Sequence, residues 1–161
     1  MLEINKSSRH SKITGDFAEG LVLYWLSKHG FESARVDHTG IDLIAKNPHT
    51  KELMGISVKS RSRQRGTEKE YVGIPNDNFE KVDNACSAFG CLPYFAIVVD
   101  AFDCISVYIL SKAKLLELYP KQKTISTWKM GDDYVKAYKN DKDIISFTFK
   151  HETINWWNKD S

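Results

Sequence analysis

No apolar run in this chain approaches the roughly 18 residues that a helix needs to cross a bilayer, so no membrane span is expected. The stretch from Met1 to Lys12 is polar with no apolar centre, so it is not expected to be a secretory signal. Cysteine is scarce and odd in number. Cys86, Cys91 and Cys104 show no Cys-x-x-Cys spacing, and half-buried reduced thiols in a cytoplasmic protein are expected rather than disulfides or a zinc site. The five histidines are scattered, with no His-x-x-x-His pair or Cys/His cluster of zinc spacing. Neither Gly-x-x-x-x-Gly-Lys nor Gly-x-Gly-x-x-Gly occurs, so the glycine-rich nucleotide loops are excluded. Internal repeats and low-complexity segments are also absent.

What remains is an ordinary globular composition. The chain has 161 residues, 42% hydrophobic and 27% charged, enough to bury a core as one domain over residues 1–161. The net charge of +2 hides an asymmetry. Residues 1–75 hold 12 Lys/Arg against 9 Asp/Glu, and the remainder 11 against 12. The basic excess therefore lies in the first half, which hints at a polyanionic partner. Residues 1–13 read as a flexible basic lead carrying Lys6, Arg9, His10 and Lys12, suited to phosphate contacts.

The first helix is predicted from Asp16 to His29, with Phe17, Leu21, Tyr24 and Trp25 as its apolar stripe and Gly30 as its C-terminal cap. Glu19 lies among Val22, Leu23 and Leu26 on a packed face. Its competing reading is a capping box, with Asp16 as N-cap and Glu19 at the third helical position. A short strand follows from Phe31 to Asp37. Residues from Gly40 to Arg65 then form a hairpin: Gly40-Ile41-Asp42 opens one strand, Asn47 to Lys51 breaks it, and Met54 to Lys59 makes the second. Strand alternation puts Ser57 and Lys59 on one face and Ile56 and Val58 on the other. Lys59, Arg61, Arg63 and Arg65 alternate with neutral residues, which predicts a positive track leading out of the hairpin.

Tyr71 to Ile74 reads as a short extended piece. Asn76 or Asp77 caps a helix carrying Phe79, Val82, Cys86 and Phe89, closed by Gly90. Tyr94 to Val99 is the near-continuous apolar run of a strand buried on both faces, and Ile105 to Leu110 repeats it. Ser111 caps a further helix that stops at Pro120. Asp132-Asp133 reads as a solvated turn, Ile145 to Phe149 as an alternating strand, and Trp156-Trp157 as packing. The expected fold class is α/β, a mixed central β-sheet flanked by helices.

A helix with Gly15-x-x-x-Glu19, then Gly40-Ile41-Asp42, then Ser57-Val58-Lys59 resembles the PD-(D/E)XK nuclease superfamily, in particular its restriction-endonuclease-like and Holliday-junction-resolvase-like members. The resemblance covers roughly residues 15–110, with residues 111–161 as C-terminal helix and strand additions. It implies a metal-dependent endonuclease hydrolysing DNA phosphodiesters with Mg²⁺ or Mn²⁺. By the same resemblance Asp42 would bind the metal and Glu19 would complete or tune the site. The Val58 carbonyl would add an oxygen, and Lys59 would position the attacking water or stabilise charge on the phosphate. Those roles agree with the chemistry, since hard dications take oxygen ligands and developing negative charge needs a nearby cation.

The chain departs from the family at Ser57, where Glu, Asp or Gln is usual. A neutral hydroxyl cannot supply a carboxylate's charge. Either Glu19, Asp37 or Glu70 has taken over that charge, or the metal is held weakly by Asp42 and waters, or catalysis is lost and nucleic-acid binding remains. Ser57 as a nucleophile would need Lys59 as its base. The predicted nucleic-acid contacts are Arg61, Arg63, Arg65 and Lys12, with DNA as partner, RNA as an alternative and a homodimer as the assembly many relatives adopt. A third reading, a protein-interaction domain, draws on the aromatic tail.

Overall fold

The computed structural model describes residues 5–157, so residues 1–4 of the expected lead and 158–161 of the tail lie outside it. The apolar runs in the middle of the chain build its centre. Strands β1 (Glu32–His38), β2 (Ile41–Lys46) and β3 (Leu53–Ser62) form an antiparallel meander, and β5 (Leu92–Asp100) lies beside β3. Strand β4 (Val72–Pro75) and helix α2 (Asn76–Phe89) make the crossover between them, which is why β3 and β5 are parallel. Then come β6 (Cys104–Ser111), α3 (Lys112–Leu118), β7 (Ile125–Trp128), α4 (Asp132–Asn140) and β8 (Ile145–Lys150). The main sheet has the order β1-β2-β3-β5-β6-β8, and β4 pairs with β7 in a second, two-stranded sheet. This is the mixed α/β sheet flanked by helices that the sequence predicts.

Each face of the sheet carries its own core. Helix α1 (His10–Lys28) covers one face, with Ala18, Val22 and Leu26 fully buried against Leu43, Ile56, Ala96 and Val98. On the other face Phe79, Val82 and Cys86 of α2 pack on Phe95, Ile97 and Val99. The alternation within β5 (Phe95, Ile97 and Val99 one way, Ala96 and Val98 the other) explains its unbroken apolar run. Gly40 is required twice over. Its φ is +105°, and a Cβ there would stand 2.2 Å from the Lys81 carbonyl oxygen of α2.

Several expectations are corrected. Helix α1 begins at His10, not Asp16, so residues 10–13 are its first turn rather than a loose lead. Asp16 pairs with Lys12 at 3.3 Å inside the helix, which removes the capping-box reading of Glu19. The buried stripe of α1 is Ala18, Val22 and Leu26, whereas Phe17 and Tyr24 stand 49% and 55% exposed. A small residue at position 18 lets the helix axis approach the sheet, and the large aromatics flank the contact instead of filling it. Helix α2 starts at Asn76 with Pro75 as N-cap, so neither Asn76 nor Asp77 caps it. Asp132 and Asp133 form the first turn of α4, where acids favour the helix N-terminus. Trp156 and Trp157 are 65% and 91% exposed and do not pack.

Other expectations hold. Ser111 caps α3, its hydroxyl accepting from the Lys114 N–H at 3.1 Å. Cys86 is buried, Cys91 and Cys104 are half-buried, and all three are free thiols.

Candidate active site

The register between β2 and β3 runs from Lys46 opposite Leu53 to Leu43 opposite Ile56. Beyond that point Asp42 takes over with its side chain: Oδ2 accepts the Val58 N–H at 2.7 Å. The Gly40 turn delivers Asp42 to this place, because the close approach of α2 at Gly40 fixes where β2 begins. Asp42 is half-buried and is held by the strand it faces.

Glu19 arrives from α1 on the same side of the sheet as Val22 and Leu26. It is half-buried and accepts from Arg35 of β1 at 3.0 Å. Burial raises its carboxyl above the ordinary range, and the negative charge of Asp42 raises it further. Arg35 acts in the opposite sense but does not reverse the shift. Two carboxylates from different elements thus feel each other at the end of the β2–β3 ladder.

Lys59 lies on the α2 side of β3, as alternation predicts, and its ammonium donates to Asn78 Oδ1 in the first turn of α2. Asn78 Nδ2 in turn donates to Asp77 at 3.0 Å. Burial pushes the Lys59 ammonium below the usual lysine range, opposed by Asp42 and reinforced by Arg61. Asn78 is a site residue the sequence reasoning missed. The Asn76-Asp77-Asn78 cluster was visible, but its polarity reads as helix-start chemistry until β3 is placed beside it. Ser57 is 3% exposed, a buried hydroxyl.

The cationic exit differs from a free track. Arg61 donates to the Gly73 carbonyl at 3.2 Å and to Ser60 O at 2.7 Å, so β4 tethers it. Arg63 donates to the Tyr71 carbonyl at 2.7 Å, and Glu70 stands 3.6 Å away. Arg65 places its guanidinium 4.5 Å from the centroid of Phe102. Lys12 stays exposed on α1 beside Asp16, outside the groove described next. Of the stand-in acids, Glu70 is exposed beside Arg63 and Asp37 is exposed on β1, whereas Glu19 is half-buried and feels the charge of Asp42.

A groove of about 660 Å³ opens between the chain entering α1 and the end of β3, lined by Lys6, His10, Thr14, Lys59, Arg61 and Ser62 among others. Lys6 donates to the Ser62 carbonyl at 2.7 Å. His10 Nε2 and the Ser62 hydroxyl are 2.9 Å apart, and that hydroxyl donates to Asp100 at 3.0 Å. The basic lead therefore docks beside Lys59, a placement its composition did not reveal.

The groups shown at Asp42 are the Glu19 carboxylate, the Lys59 ammonium and the Val58 N–H, so the available protein ligands for a cation are two carboxylates. That set suits a hard dication that keeps several waters, with two carboxylates as its protein ligands. It does not suit a dedicated protein cage, since no cluster of three His, Cys, Asp or Glu side chains able to hold a metal occurs among the described residues.

No protein-family model matches the chain, and no curated protein sequence is similar to it. Among solved structures it is similar to Hjc, a Holliday junction resolvase from the archaeal hyperthermophile Archaeoglobus fulgidus. The TM-score is 0.54 at 18% identity, over 74% of this chain and 85% of that one.

Proposed function

From a chain that shares the resolvase's restriction-endonuclease-like fold, we infer a metal-dependent nuclease that hydrolyses DNA phosphodiesters. The observation that carries this reading is the convergence of Glu19, Asp42 and Lys59 from α1, β2 and β3 on one end of the sheet. Two half-buried carboxylates repel each other, and a bound Mg²⁺ or Mn²⁺ would relieve that repulsion. Asp42, Glu19 and the Val58 carbonyl would hold the ion, which supplies Lewis-acid charge to the phosphoryl oxygens.

The chain's own residues do the rest. Asp42 is oriented by the Val58 N–H through Oδ2, which leaves Oδ1 outside that bond. Lys59 is turned by Asn78 and directs an ammonium to where negative charge grows in the transition state. The groove beside it, with Lys6, His10 and Arg61, receives the sugar-phosphate backbone. Glu19 supplies the second negative charge that Ser57 does not. A dimer is carried by the resemblance alone and is read by sedimentation.

A second reading, a catalytically silent DNA-binding module, is favoured by the buried hydroxyl of Ser57 in place of an acid. One experiment separates the two. The purified protein is incubated with branched, single-stranded and duplex DNA in Mg²⁺, in Mn²⁺ and in excess EDTA. The nuclease reading expects cleavage that EDTA abolishes and that Lys59→Ala abolishes too. Salt-dependent binding without cleavage in either metal establishes the silent module instead. Cleavage that survives both Asp42→Ala and Lys59→Ala removes the site.

A further inference from the structure

The turn between β5 and β6 contains a residue that the proposed chemistry does not use. Phe102 has φ +72°, one of two non-glycine residues with positive φ among the described residues, and remains 43% exposed. A bulky side chain in that conformation is an outlier, since glycine or asparagine occupies it without strain. The strain is retained because the turn is held from both sides. Arg63 N–H donates to the Asp100 carbonyl at 2.8 Å, Ala101 N–H to Cys104 O at 2.9 Å, and His151 N–H to Asp103 O at 2.9 Å. Asp100 also holds the Ser62 hydroxyl. The result is an aromatic ring displayed to solvent with the Arg65 guanidinium over it.

The ring's place matters as much as its exposure. Asp100 stands in register beside Ser62, and Ser62 lines the groove that begins at Lys59. Ser62 is three residue steps, about 10 Å, beyond Lys59, and Phe102 is two residues past Asp100, so it stands on the order of 15 Å from Lys59, just beyond the end of the groove. That is about four base steps of a DNA strand. A backbone laid against Lys59, Arg61 and Lys6 would bring its bases to the turn. An exposed ring backed by a guanidinium offers what an extrahelical base needs: a flat apolar face with positive charge behind it.

We propose that Phe102, backed by Arg65, is a stacking platform for an unpaired nucleobase of the DNA substrate, so that the protein favours DNA with an unpaired base a few steps from the bond it cuts. This rests on the DNA-cleaving reading above and adds the structural class of the substrate.

The test is equilibrium binding in EDTA to two labelled DNAs of equal length, one fully paired and one with a single unpaired 2-aminopurine, whose fluorescence falls on stacking. The variants are Phe102→Asn, which suits the positive φ and removes the ring, and Phe102→Trp, which keeps an aromatic face. The wild type is expected to prefer the DNA with the unpaired base by about tenfold and to quench its fluorescence, as one stacked base implies. Phe102→Asn should lose both preference and quenching while melting no lower than the wild type, and Phe102→Trp should restore both. Equal preference and quenching in wild type and Phe102→Asn would overturn the platform while leaving the nuclease reading intact. Failure of the wild type to bind either DNA at low salt would overturn both.

Discussion

Replacing Asp42 separates the structural role of its carboxylate from its chemical one, because the two depend on different properties. Oδ2 accepts the Val58 N–H at 2.7 Å where the β2–β3 ladder has ended. Asp42→Asn keeps a side-chain oxygen of the same reach, so the hydrogen bond survives and only the charge is lost. Asp42→Ala leaves the Val58 N–H, in a half-buried strand, without its partner. An unpaired buried donor costs about 1–3 kcal/mol. Half-burial places the expected loss for alanine near the lower end, at about 1–2 kcal/mol. Asparagine should fall within about 0.5 kcal/mol of the wild type, since a neutral acceptor is weaker but the repulsion with Glu19 is relieved. Catalysis should treat the two alike. Loss of a negative ligand at the proposed ion site should lower Mg²⁺-dependent cleavage by at least about a hundredfold in both. Urea unfolding in EDTA and initial cleavage rates on branched DNA measure the two effects separately. An asparagine variant that cuts at the wild-type rate would refute the chemical role, and an alanine variant as stable as asparagine would refute the structural one.

Two further perturbations test the frame around the site. Gly40→Ala places a Cβ 2.2 Å from the Lys81 carbonyl at a φ of +105°, so strain and overpacking add. A loss of about 3–4 kcal/mol in urea unfolding is expected, and a loss under 1 kcal/mol would mean that α2 does not approach Gly40 this closely. Cys86 is pushed up to about 12, first by burial and then by its hydrogen bond with Cys91. Folded Cys86 keeps its proton where the unfolded thiol releases it, so stability should decline as pH rises from about 9 to about 12. At pH 8 iodoacetamide should label Cys86 far more slowly than Cys104, read by peptide mass spectrometry; equal rates would contradict the burial.

The sheet was legible because its signals are local. The runs Met54–Val58, Tyr94–Val99 and Ile105–Leu110 each declare a strand by themselves, and Gly40-Ile41-Asp42 with Lys59 declares the hairpin that unites them. What escaped depends on partners distant in sequence. Arg61 and Arg63 look like free cations on an alternating strand; only the fold brings the carbonyls of Gly73 and Tyr71 across to hold them. Trp128 carries no local pattern, yet it is fully buried between Tyr108 and Tyr138 because β7 pairs with β4. The basic lead was read as loose for the same reason. Its anchor is Ser62, more than fifty residues away, through Lys6 and His10.

What Ser57 means for the proposed site follows from where charge is placed around it. A carboxylate at position 57 would project toward the α2 side with Lys59, because the two share a strand face. Glu19 reaches the site from α1, on the opposite face, and meets Asp42 at the place where the two strands part. Its carboxyl rises under burial and the charge of Asp42 even with Arg35 3.0 Å away. If Glu19 had only closed a surface ion pair, its carboxyl would sit low, as paired exposed acids do. Instead burial, with the charge of Asp42 added to it, outweighs Arg35, and a dication in the proposed site would offset both. With Ser57 neutral, the ammonium of Lys59 bonds to Asn78, a neutral acceptor, while the charges of Asp42 and Asp77 partly offset the effect of its burial. In the proposed site the negative charge beside Asp42 therefore comes from α1, through Glu19, and not from position 57.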